Sequence, residues 1–266
     1  MSSPKIVVIT GANTGIGYET VKALVQSDEA YRIFVGSRSI EKGETAIETL
    51  RKEFPESPST MEVLQVDVST DESIQQASET VKAKTEYVDV LINNAGAAFD
   101  ILHARGQIGL RDCFNQAYNI NVSGAHLMTY VFMPLLLKSS DPRLLFIAGL
   151  SQMSVASQHY FPTPPQPAGW PKDIDFETIG YRCSKTALNM LMIDYTHKLK
   201  ADGVKVWGVL PGFLATNLGG LGPEYSKSQG AGPDPGVGGK FIASVVEGAR
   251  DEDVGKIVGR DGIVPF

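Results

Sequence analysis

The chain has 266 residues and a formal net charge of −6. This length suits one α/β domain with a full core, and the negative charge argues against nucleic acid or an anionic membrane as partner. Two cysteines and four separated histidines predict no disulfide framework and no metal site. Because no apolar run reaches about 20 residues and no leader-like segment opens the chain, we expect a cytoplasmic protein.

Strand-like and helix-like segments alternate along the chain. Short β-branched or apolar runs predict strands at residues 6–10, 31–36, 61–66, 88–92, 144–148, 204–210 and 256–259. Predicted helices cover residues 15–25, 40–54, 72–85, 111–138 with a bend near 123–124, and the region around Tyr181. The alternation predicts one domain over residues 1–266, with a Rossmann-type doubly wound parallel sheet of about seven strands and helices on both faces.

Two long loops interrupt this rhythm. Residues 156–180 are rich in proline and aromatic side chains, and residues 217–236 are rich in glycine and serine. Both follow predicted strand ends, where ligands of such sheets bind, so we expect a lid-like insertion and a substrate loop. The alternative is that both are tolerated surface insertions.

The first predicted strand runs directly into GANTGIG and then into a helix. Glycines allow a tight turn and a close approach of the backbone to a pyrophosphate, whose charge is favourable at a helix N-terminus. The spacing of Gly11, Gly15 and Gly17 differs from the common G-x-G-x-x-G fingerprint. A glycine-rich turn without a ligand is the alternative, and the preceding buried strand argues against it.

Tyr181 and Lys185 stand four residues apart in YRCSK, which places them on one face of a helix. An isolated tyrosine, with a pKa of about 10, is a poor proton donor or acceptor at neutral pH. A neighbouring ammonium lowers such a pKa, so the pair is a candidate for acid–base chemistry. Alone the spacing is weak, since it is frequent on solvated helices.

Taken together, these motifs resemble those of the short-chain dehydrogenase/reductase family, in order and spacing, from residue 6 to about residue 262. The matching segments are TGANTGIG (10–17), DV (67–68), NNAG (93–96), NIN (119–121), YRCSK (181–185) and PGFLAT (211–216). The resemblance implies cofactor contacts from Gly11, Asn13, Gly15, Ile16, Gly17, Asp67, Val68, Asn94, Ala95, Gly96, Tyr181, Lys185, Pro211, Gly212 and Thr216.

The choice between the two nicotinamide cofactors has a physical basis. NAD-preferring folds place a carboxylate about 20 residues beyond the glycine loop, where it binds the ribose 2′-hydroxyl. Here that place holds Gly36, Ser37 and Arg38, without a carboxylate. A guanidinium suits a phosphate, so we predict NADP(H), with Ser37 and Arg38 at the 2′-phosphate. Alternatively, Arg38 is an exposed first residue of the next helix.

The resemblance also implies the chemistry, a hydride transfer between nicotinamide and a carbonyl or alcohol carbon. Tyr181 would exchange the proton, Lys185 would lower its pKa and bind ribose, and Asn121 would continue a proton relay. Relatives hold the substrate oxygen with a serine after the fifth strand, where this chain has Gly149. Ser151 is the favoured replacement and Ser154 a weaker one; otherwise Tyr181 acts with another donor.

The insertion before Tyr181 resembles that of carbonyl reductases, which suggests a lid and a monomer or homodimer. His159, Tyr160, Phe161 and Trp170 are candidate pocket residues, although each is equally suited to packing the loop. We predict an NADPH-dependent reductase or dehydrogenase for a bulky apolar or aromatic small molecule, of the kind found in secondary metabolism. The alternatives are a scaffold repurposed for imine reduction or cyclisation, and a non-catalytic dinucleotide sensor.

Overall fold

The computed structural model describes residues 3–161, 163–172, 174, 176–220, 222–232 and 234–266. Within this part of the chain, eight strands form one sheet in the order β3-β2-β1-β4-β5-β6-β7-β8. The strands are β1 (Lys5–Ile9), β2 (Tyr31–Ser37), β3 (Thr60–Gln65), β4 (Val90–Asn93), β5 (Arg143–Ile147), β6 (Lys205–Leu210), β7 (Ile257–Gly259) and β8 (Gly262–Val264). The first seven are parallel, and β8 pairs antiparallel with β7.

The helices lie on both faces of the sheet. In chain order they are α1 (Gly15–Val25), α2 (Ile40–Glu53), α3 (Asp71–Lys82), α4 (Asp100–Ala104), α5 (Leu110–Tyr118), α6 (Ala125–Leu136), α7 (Met153–Ala156), α8 (Ile179–Lys198), α9 (Pro223–Ser228) and α10 (Gly236–Val246). A π-helical segment, Asn119–Gly124, joins α5 to α6, at the place where the sequence predicts a bend.

The alternation of side chains along each strand builds two cores. On β1, Ile6 and Val8 face a core that includes residues of α3, α6 and α8, whereas Val7 and Ile9 face one that includes residues of α1, α2 and α10. Both sets are buried, so β1 appears as an unbroken apolar run, as expected for a parallel strand covered on both faces. The predicted α/β architecture is confirmed, and the eighth strand extends it.

The order of the strands places a crevice beside β1. The chain crosses from β1 to β2 in one direction, whereas β4 pairs with the other edge of β1. Ligands of open α/β sheets bind at such a reversal, outside the carboxyl ends of the strands. The glycine loop follows β1, the NNAG segment follows β4, and Gly149 follows β5, so the predicted motifs meet at one edge.

Within the two long loops, α7 and α8 flank residues 157–178, and α9 lies between residues 217 and 236. Residues 162, 173 and 175 of the first loop, and 221 and 233 of the second, lie outside the described residues.

Candidate active site

A cavity of about 430 Å³ opens at the carboxyl ends of the strands. Its walls come from the glycine loop, from the segments after β3, β4, β5 and β6, from α8, and from both long loops. The residues at the dinucleotide end are Gly11, Asn13, Thr14, Gly15, Ile16, Gly17, Arg38, Val66, Asp67, Val68, Asn94, Ala95 and Gly96. Those around and beyond the phenol include Tyr181, Lys185, Gly149, Leu150, Pro211, Gly212, Phe213, Thr216, Phe176, Leu218 and Tyr225.

The glycine loop is shaped by close packing against the NNAG segment. Gly11 has a φ of 62°, a conformation that favours glycine. A methyl group on Gly17 would stand 2.5 Å from Asn94 Nδ2, so only glycine fits there. Asn94 Nδ2 in turn donates to the carbonyls of Thr10 and Gly11 at 2.8 and 3.0 Å. The start of α1 is thereby held against the sheet, facing the cavity.

The two residues predicted to hold a 2′-phosphate have different positions. Arg38 lines the cavity. Ser37 is 2% exposed and its hydroxyl donates to the carbonyl of Ser39 at 2.8 Å, and it does not belong to the cavity wall that the structure describes. Arg38 is therefore the residue of this pair that can reach a ligand, and Ser37 shapes the turn that precedes α2.

Tyr181 and Lys185 lie on the same face of α8, and both line the cavity. Lys185 Nζ lies 5.7 Å from the centroid of the Tyr181 ring and donates to the carbonyl of Ile147 at 2.8 Å. Burial lowers the pKa of Lys185 to about 8. The Lys185 ammonium is therefore hydrogen-bonded to the end of β5, while Tyr181 faces the cavity.

The pKa of Tyr181 moves in the direction opposite to the prediction from sequence. Desolvation by the surrounding protein raises it, and the charge of Asp100 raises it further. The lowering expected from Lys185 is not among the causes of this shift, whereas desolvation, which disfavours the phenolate, is the largest one. The phenol is accordingly protonated near neutral pH and carries the proton that reduction needs, although the raised pKa makes it a weaker acid.

Asn121 lies in the π-helical segment and is 1% exposed. Its side chain accepts from the Ala97 amide and donates to the Ala97 carbonyl and to Ser184 Oγ, each at 2.8 Å. A methyl group on Gly96 would lie 3.3 Å from Asn121 Oδ1 and 3.4 Å from Lys185 Nζ. Lys185 Nζ and Asn121 Oδ1 therefore both lie close to Gly96, and π-helical turns of this kind are frequent at functional sites.

Gly149 lies directly against the phenol. A methyl group there would stand 2.6 Å from Tyr181 Oη and 3.1 Å from Lys185 Cγ. Ser151, predicted to hold the substrate oxygen, is 2% exposed, and its hydroxyl donates to the Gly149 carbonyl at 3.2 Å. Ser151 does not belong to the described cavity wall, so its predicted role remains a prediction that this geometry does not support.

The far end of the cavity is aromatic. The ring centroids of Phe176 and Phe213 are 5.9 Å apart, and those of Phe176 and Tyr225 are 6.0 Å apart. These rings come from both long loops and from the segment after β6. The loops therefore supply cavity walls, as the sequence suggests.

The aromatic residues proposed from sequence take other positions. Phe161 packs edge-on against Phe213 from outside the cavity wall. Arg182 Cζ lies over the Tyr160 ring, 4.2 Å from the ring centroid. Trp170 is 87% exposed. None of these residues, nor His159, lines the described cavity.

Sequence reasoning missed Asp100, Phe176, Phe213 and Tyr225. Phe213 carried a signal, because it lies inside the matched PGFLAT segment at a strand end. The other three stand in loops or short helices without periodicity, where no local pattern indicates the direction of a side chain. In the described part of the chain, no cluster of three or more His, Cys, Asp or Glu side chains is arranged to hold a metal ion.

No described helix is both long enough and apolar enough to cross a bilayer.

Comparison with known proteins gives a consistent result. The family described as short chain dehydrogenase matches residues 5–162. The chain is 48% identical over 271 aligned residues to the short-chain dehydrogenase/reductase tropE of Talaromyces stipitatus, covering 100% of this chain and 99% of that protein. It is 43% identical over 262 residues to the short-chain dehydrogenase/reductase eupG of a Phoma species, covering 94% and 93%.

Two solved structures show the same fold. An NADPH-bound carbonyl reductase from chicken fatty liver superimposes with a TM-score of 0.74 at 22% identity, over 100% of both chains. The carbonyl reductase Sniffer of D. melanogaster gives 0.76 at 19% identity, over 99% of this chain and 100% of that one. By its motifs, its fold and its sequence relatives, the chain belongs to the short-chain dehydrogenase/reductase family.

Proposed function

We propose that this enzyme is an NADP(H)-dependent oxidoreductase that transfers a hydride between nicotinamide and a carbonyl or secondary alcohol of a bulky apolar or aromatic small molecule. The observation that carries the proposal is one continuous cavity. It joins the glycine loop, the Tyr181–Lys185 pair and an aromatic wall in that order. A dinucleotide and a substrate placed in it would meet beside the phenol.

The residues present fit such a cofactor. The glycine loop is a cradle that side chains would fill, since a methyl group on Gly11 would stand 3.0 Å from Ala95 Cα. Thr14 makes no side-chain bond to the start of α1 among the described residues, so the helix N-terminus is open to a pyrophosphate. We assign the remaining contacts to Asp67 and Val68 at adenine, Asn94, Ala95 and Gly96 at ribose, Lys185 at the nicotinamide ribose, Pro211, Gly212 and Thr216 at the carboxamide, and Gly11, Asn13, Gly15, Ile16 and Gly17 at the phosphates.

Arg38 supports the preference for a 2′-phosphate. It is the cation at the adenosine end of the described cavity wall, and the planar fork of a guanidinium suits a phosphate. The carbonyl reductase from chicken fatty liver, which shares this fold, has NADPH bound in its crystal structure, and this agrees with the choice.

When bound, the dinucleotide supplies or accepts the hydride. The chain supplies the proton: the Tyr181 phenol, kept protonated by desolvation, donates to the substrate oxygen in reduction. Lys185 faces the same space and stabilises the phenolate that remains. Lys185 Nζ and Asn121 Oδ1 both lie within 3.4 Å of the place that a methyl group on Gly96 would take, and this proximity supports the predicted relay, which returns a proton to Tyr181.

The wall of the cavity limits the substrate. The rings of Phe176, Phe213 and Tyr225 favour flat apolar groups through stacked and edge-on contacts. Among the described lining residues the cations are Arg38 and Lys185, whereas Asp100 and Glu177 are carboxylates near the aromatic end. A carboxylate or phosphate on the substrate would find no cation there, so we propose neutral aromatic or bulky aliphatic ketones.

Substitution of Tyr181 tests the chemistry. Tyr181→Phe removes the proton donor and should lower kcat for reduction of an aromatic ketone about 10²–10⁴-fold. NADPH binding, measured by quenching of intrinsic fluorescence, should remain. Equal kcat for both proteins would remove the phenol from the mechanism. A wild-type protein that binds NADPH and turns over no ketone, aldehyde or quinone would instead favour the sensor, or an imine or cyclisation substrate.

Substitution of Arg38 tests the cofactor. Arg38→Asp should reduce kcat/KM with NADPH about 10–100-fold, the effect of losing charge-assisted hydrogen bonds of roughly 1.5–3 kcal/mol. The efficiency with NADH should stay level or rise. Arg105→Asp, a change of charge at an exposed residue outside the cavity wall, is the matched control. An unchanged preference in Arg38→Asp would refute the assignment.

We further propose that the enzyme acts in the cytoplasm as a monomer or homodimer, in secondary metabolism. The Arg182 guanidinium of α8 donates to the Phe161 carbonyl. Because this bond fastens the insertion to α8, it supports an insertion that limits the packing of α8 against another subunit, and hence the small assembly. Light scattering of the purified protein measures the assembly.

A further inference from the structure

The catalytic helix α8 is capped by a residue from another part of the chain. Gly180 N–H donates to Asp100 Oδ1 at 2.6 Å, and Tyr181 N–H donates to Asp100 Oδ2 at 3.0 Å. The neighbouring N-cap residue, Thr178, makes no side-chain capping bond. The backbone of Tyr181 is therefore held directly by a carboxylate that lies 81 positions earlier in the sequence.

The junction leaves little room for Asp100 to move. Asp100 is 2% exposed and begins α4, which contributes Ile101 to the cavity wall. A methyl group on Gly180 would stand 3.0 Å from Asp100 Oδ1 and 3.1 Å from Cys113 Sγ. Three elements, α4, α5 and α8, thus meet at the first turn of the helix that carries the phenol.

The chemistry of the carboxylate also matters to the phenol. An anionic side chain at a helix N-terminus is favourable, because the unpaired N–H groups there carry partial positive charge. Burial raises the pKa of Asp100, while the bonds from Gly180 and Tyr181 act in the opposite direction. The charge of Asp100 disfavours ionisation of Tyr181, so it keeps the proton on the phenol until a substrate oxygen takes it.

We propose that Asp100 is a positioning residue for proton transfer: by holding the backbone of Gly180 and Tyr181 it fixes where the phenol stands relative to the cavity. The proposal rests on the proposed function of Tyr181 as proton donor. Asp100 would thereby connect α4, which contributes Ile101 to the cavity wall, to the catalytic helix α8.

The test is Asp100→Asn, which keeps the volume but removes the charge and one acceptor. A displacement of the phenol of about 1 Å should lower kcat for ketone reduction roughly 10–100-fold. KM for NADPH should stay within about threefold, because the glycine loop is untouched. The solvent deuterium isotope effect on kcat should rise, since proton transfer becomes slower. The ¹³Cζ NMR signal of Tyr181, identified by its loss in Tyr181→Phe, should shift.

Asp89→Asn is the matched control. Asp89 also accepts a hydrogen bond from the backbone N–H of a distant residue, Ile6, at 2.8 Å. This bond lies at the amino ends of the strands, opposite the cavity. It should lose stability without a change in kcat, isotope effect or the Tyr181 signal. If Asp100→Asn also loses only stability, with kcat, the isotope effect and the Tyr181 signal unchanged, Asp100 is a structural cap and the proposal is wrong. Equal losses of kcat and NADPH affinity would also overturn the proposal.

Two further cases need separate tests: an inactive wild-type protein and an Asp100→Asn variant that does not fold. If the wild-type protein reduces no carbonyl but the Tyr181 signal still shifts in Asp100→Asn, the proposed function fails and the positioning contact stands. If Asp100→Asn does not fold, Gly180→Ala probes the same junction with the carboxylate kept. It should then shift the Tyr181 signal and lower kcat with NADPH affinity retained, and an unshifted signal would contradict the proposal.

Discussion

At the scale of single residues, the absence of a side chain at Gly149 lets the backbone after β5 pack directly against the phenol of Tyr181. The position that would hold a serine in the family's pattern has no side chain here, and Tyr181 Oη fills part of that space. Ser151 is turned into the protein, bonded to the carbonyl of Gly149. The hydroxyl that relatives place beside the substrate is therefore absent from the wall that the structure describes.

Restoring that serine should harm the enzyme. In Gly149→Ser the new Cβ would lie 2.6 Å from Tyr181 Oη, and the ring can yield because its hydroxyl is the far end of a side chain. We expect kcat to fall about 10–100-fold through misplacement of the phenol, with a loss of stability of about 1–3 kcal/mol from overpacking. Steady-state kinetics and urea unfolding measure the two effects.

Gly109→Ser provides the comparison for this substitution. Gly109 has an ordinary φ of −70° at the start of α5, is exposed, and stands away from the cavity wall. Its replacement should leave kcat unchanged. If Gly149→Ser were as active as the wild type, or more so, the phenol would have room for the serine and the steric reading would be wrong.

At the scale of secondary structure, α1 and α10 pack closely against each other. Their contact depends on glycines in GVGGKF: a methyl group on Gly239 would stand 2.3 Å from the carbonyl carbon of Glu19. Because that atom belongs to the backbone, the helices would have to separate. Since α1 begins within the cofactor loop, its position also sets the shape of the phosphate cradle.

Gly239→Ala should therefore destabilise the protein. Alanine is favoured over glycine in a helix by about 1 kcal/mol, but overpacking at a rigid contact costs about 1–3 kcal/mol or more. We expect a net loss in the free energy of unfolding of about 1–2 kcal/mol, together with weaker NADPH binding. Lys240→Ala, at the adjacent exposed position, should change stability by less than about 0.5 kcal/mol. A gain in stability on Gly239→Ala would show that the helices can part freely.

At the scale of the whole molecule, a network of ion pairs lies at the amino ends of the strands, opposite the cavity. Arg143 is 3% exposed and donates to Asp251 Oδ1 and Oδ2 at 2.7 and 2.8 Å and to Asp141 at 2.8 Å. Lys205 Nζ lies 2.6 Å from Asp251 and 2.8 Å from Asp141. The network joins the starts of β5 and β6 to the turn that precedes β7.

This network makes stability depend on acid pH. The hydrogen bond from Arg143 is the largest cause that lowers the pKa of Asp251 to about 2. Its contribution is complete above the unfolded pKa of about 3.9 and is lost as pH falls through about 2. Asp251→Asn should lower the unfolding free energy by about 2 kcal/mol at pH 7, and the difference from wild type should shrink below pH 4.

Asp253→Asn is the control for the acid dependence. Asp253 lies in the same turn and pairs with Arg250 and Lys256 at 3.4 Å, contacts at the long end for ion pairs that contribute little. Urea unfolding at pH 7, 5 and 3 compares the three proteins. A deficit in Asp251→Asn that stays constant down to pH 3 and below would contradict the assignment.

The architecture and the motifs were predictable from the sequence alone. Strands, helices and the glycine loop follow from local patterns, namely the spacing of apolar residues and the three glycines that directly follow a buried strand. Tyr181 and Lys185 share a face because helical geometry requires it. The α/β class and the family were predictable for these reasons.

Which side chains enter the cavity depends on tertiary packing and could not be predicted from the sequence. Ser37 and Ser151 turn inward to bond the chain's own carbonyls, while Phe176 and Tyr225 come together from separate loops. Asp100 reaches Tyr181 from 81 positions away, and the phenol's pKa follows from burial rather than from its helical neighbour. In irregular segments, long-range packing and hydrogen bonding set the direction of a side chain, and no periodic pattern in the sequence records it.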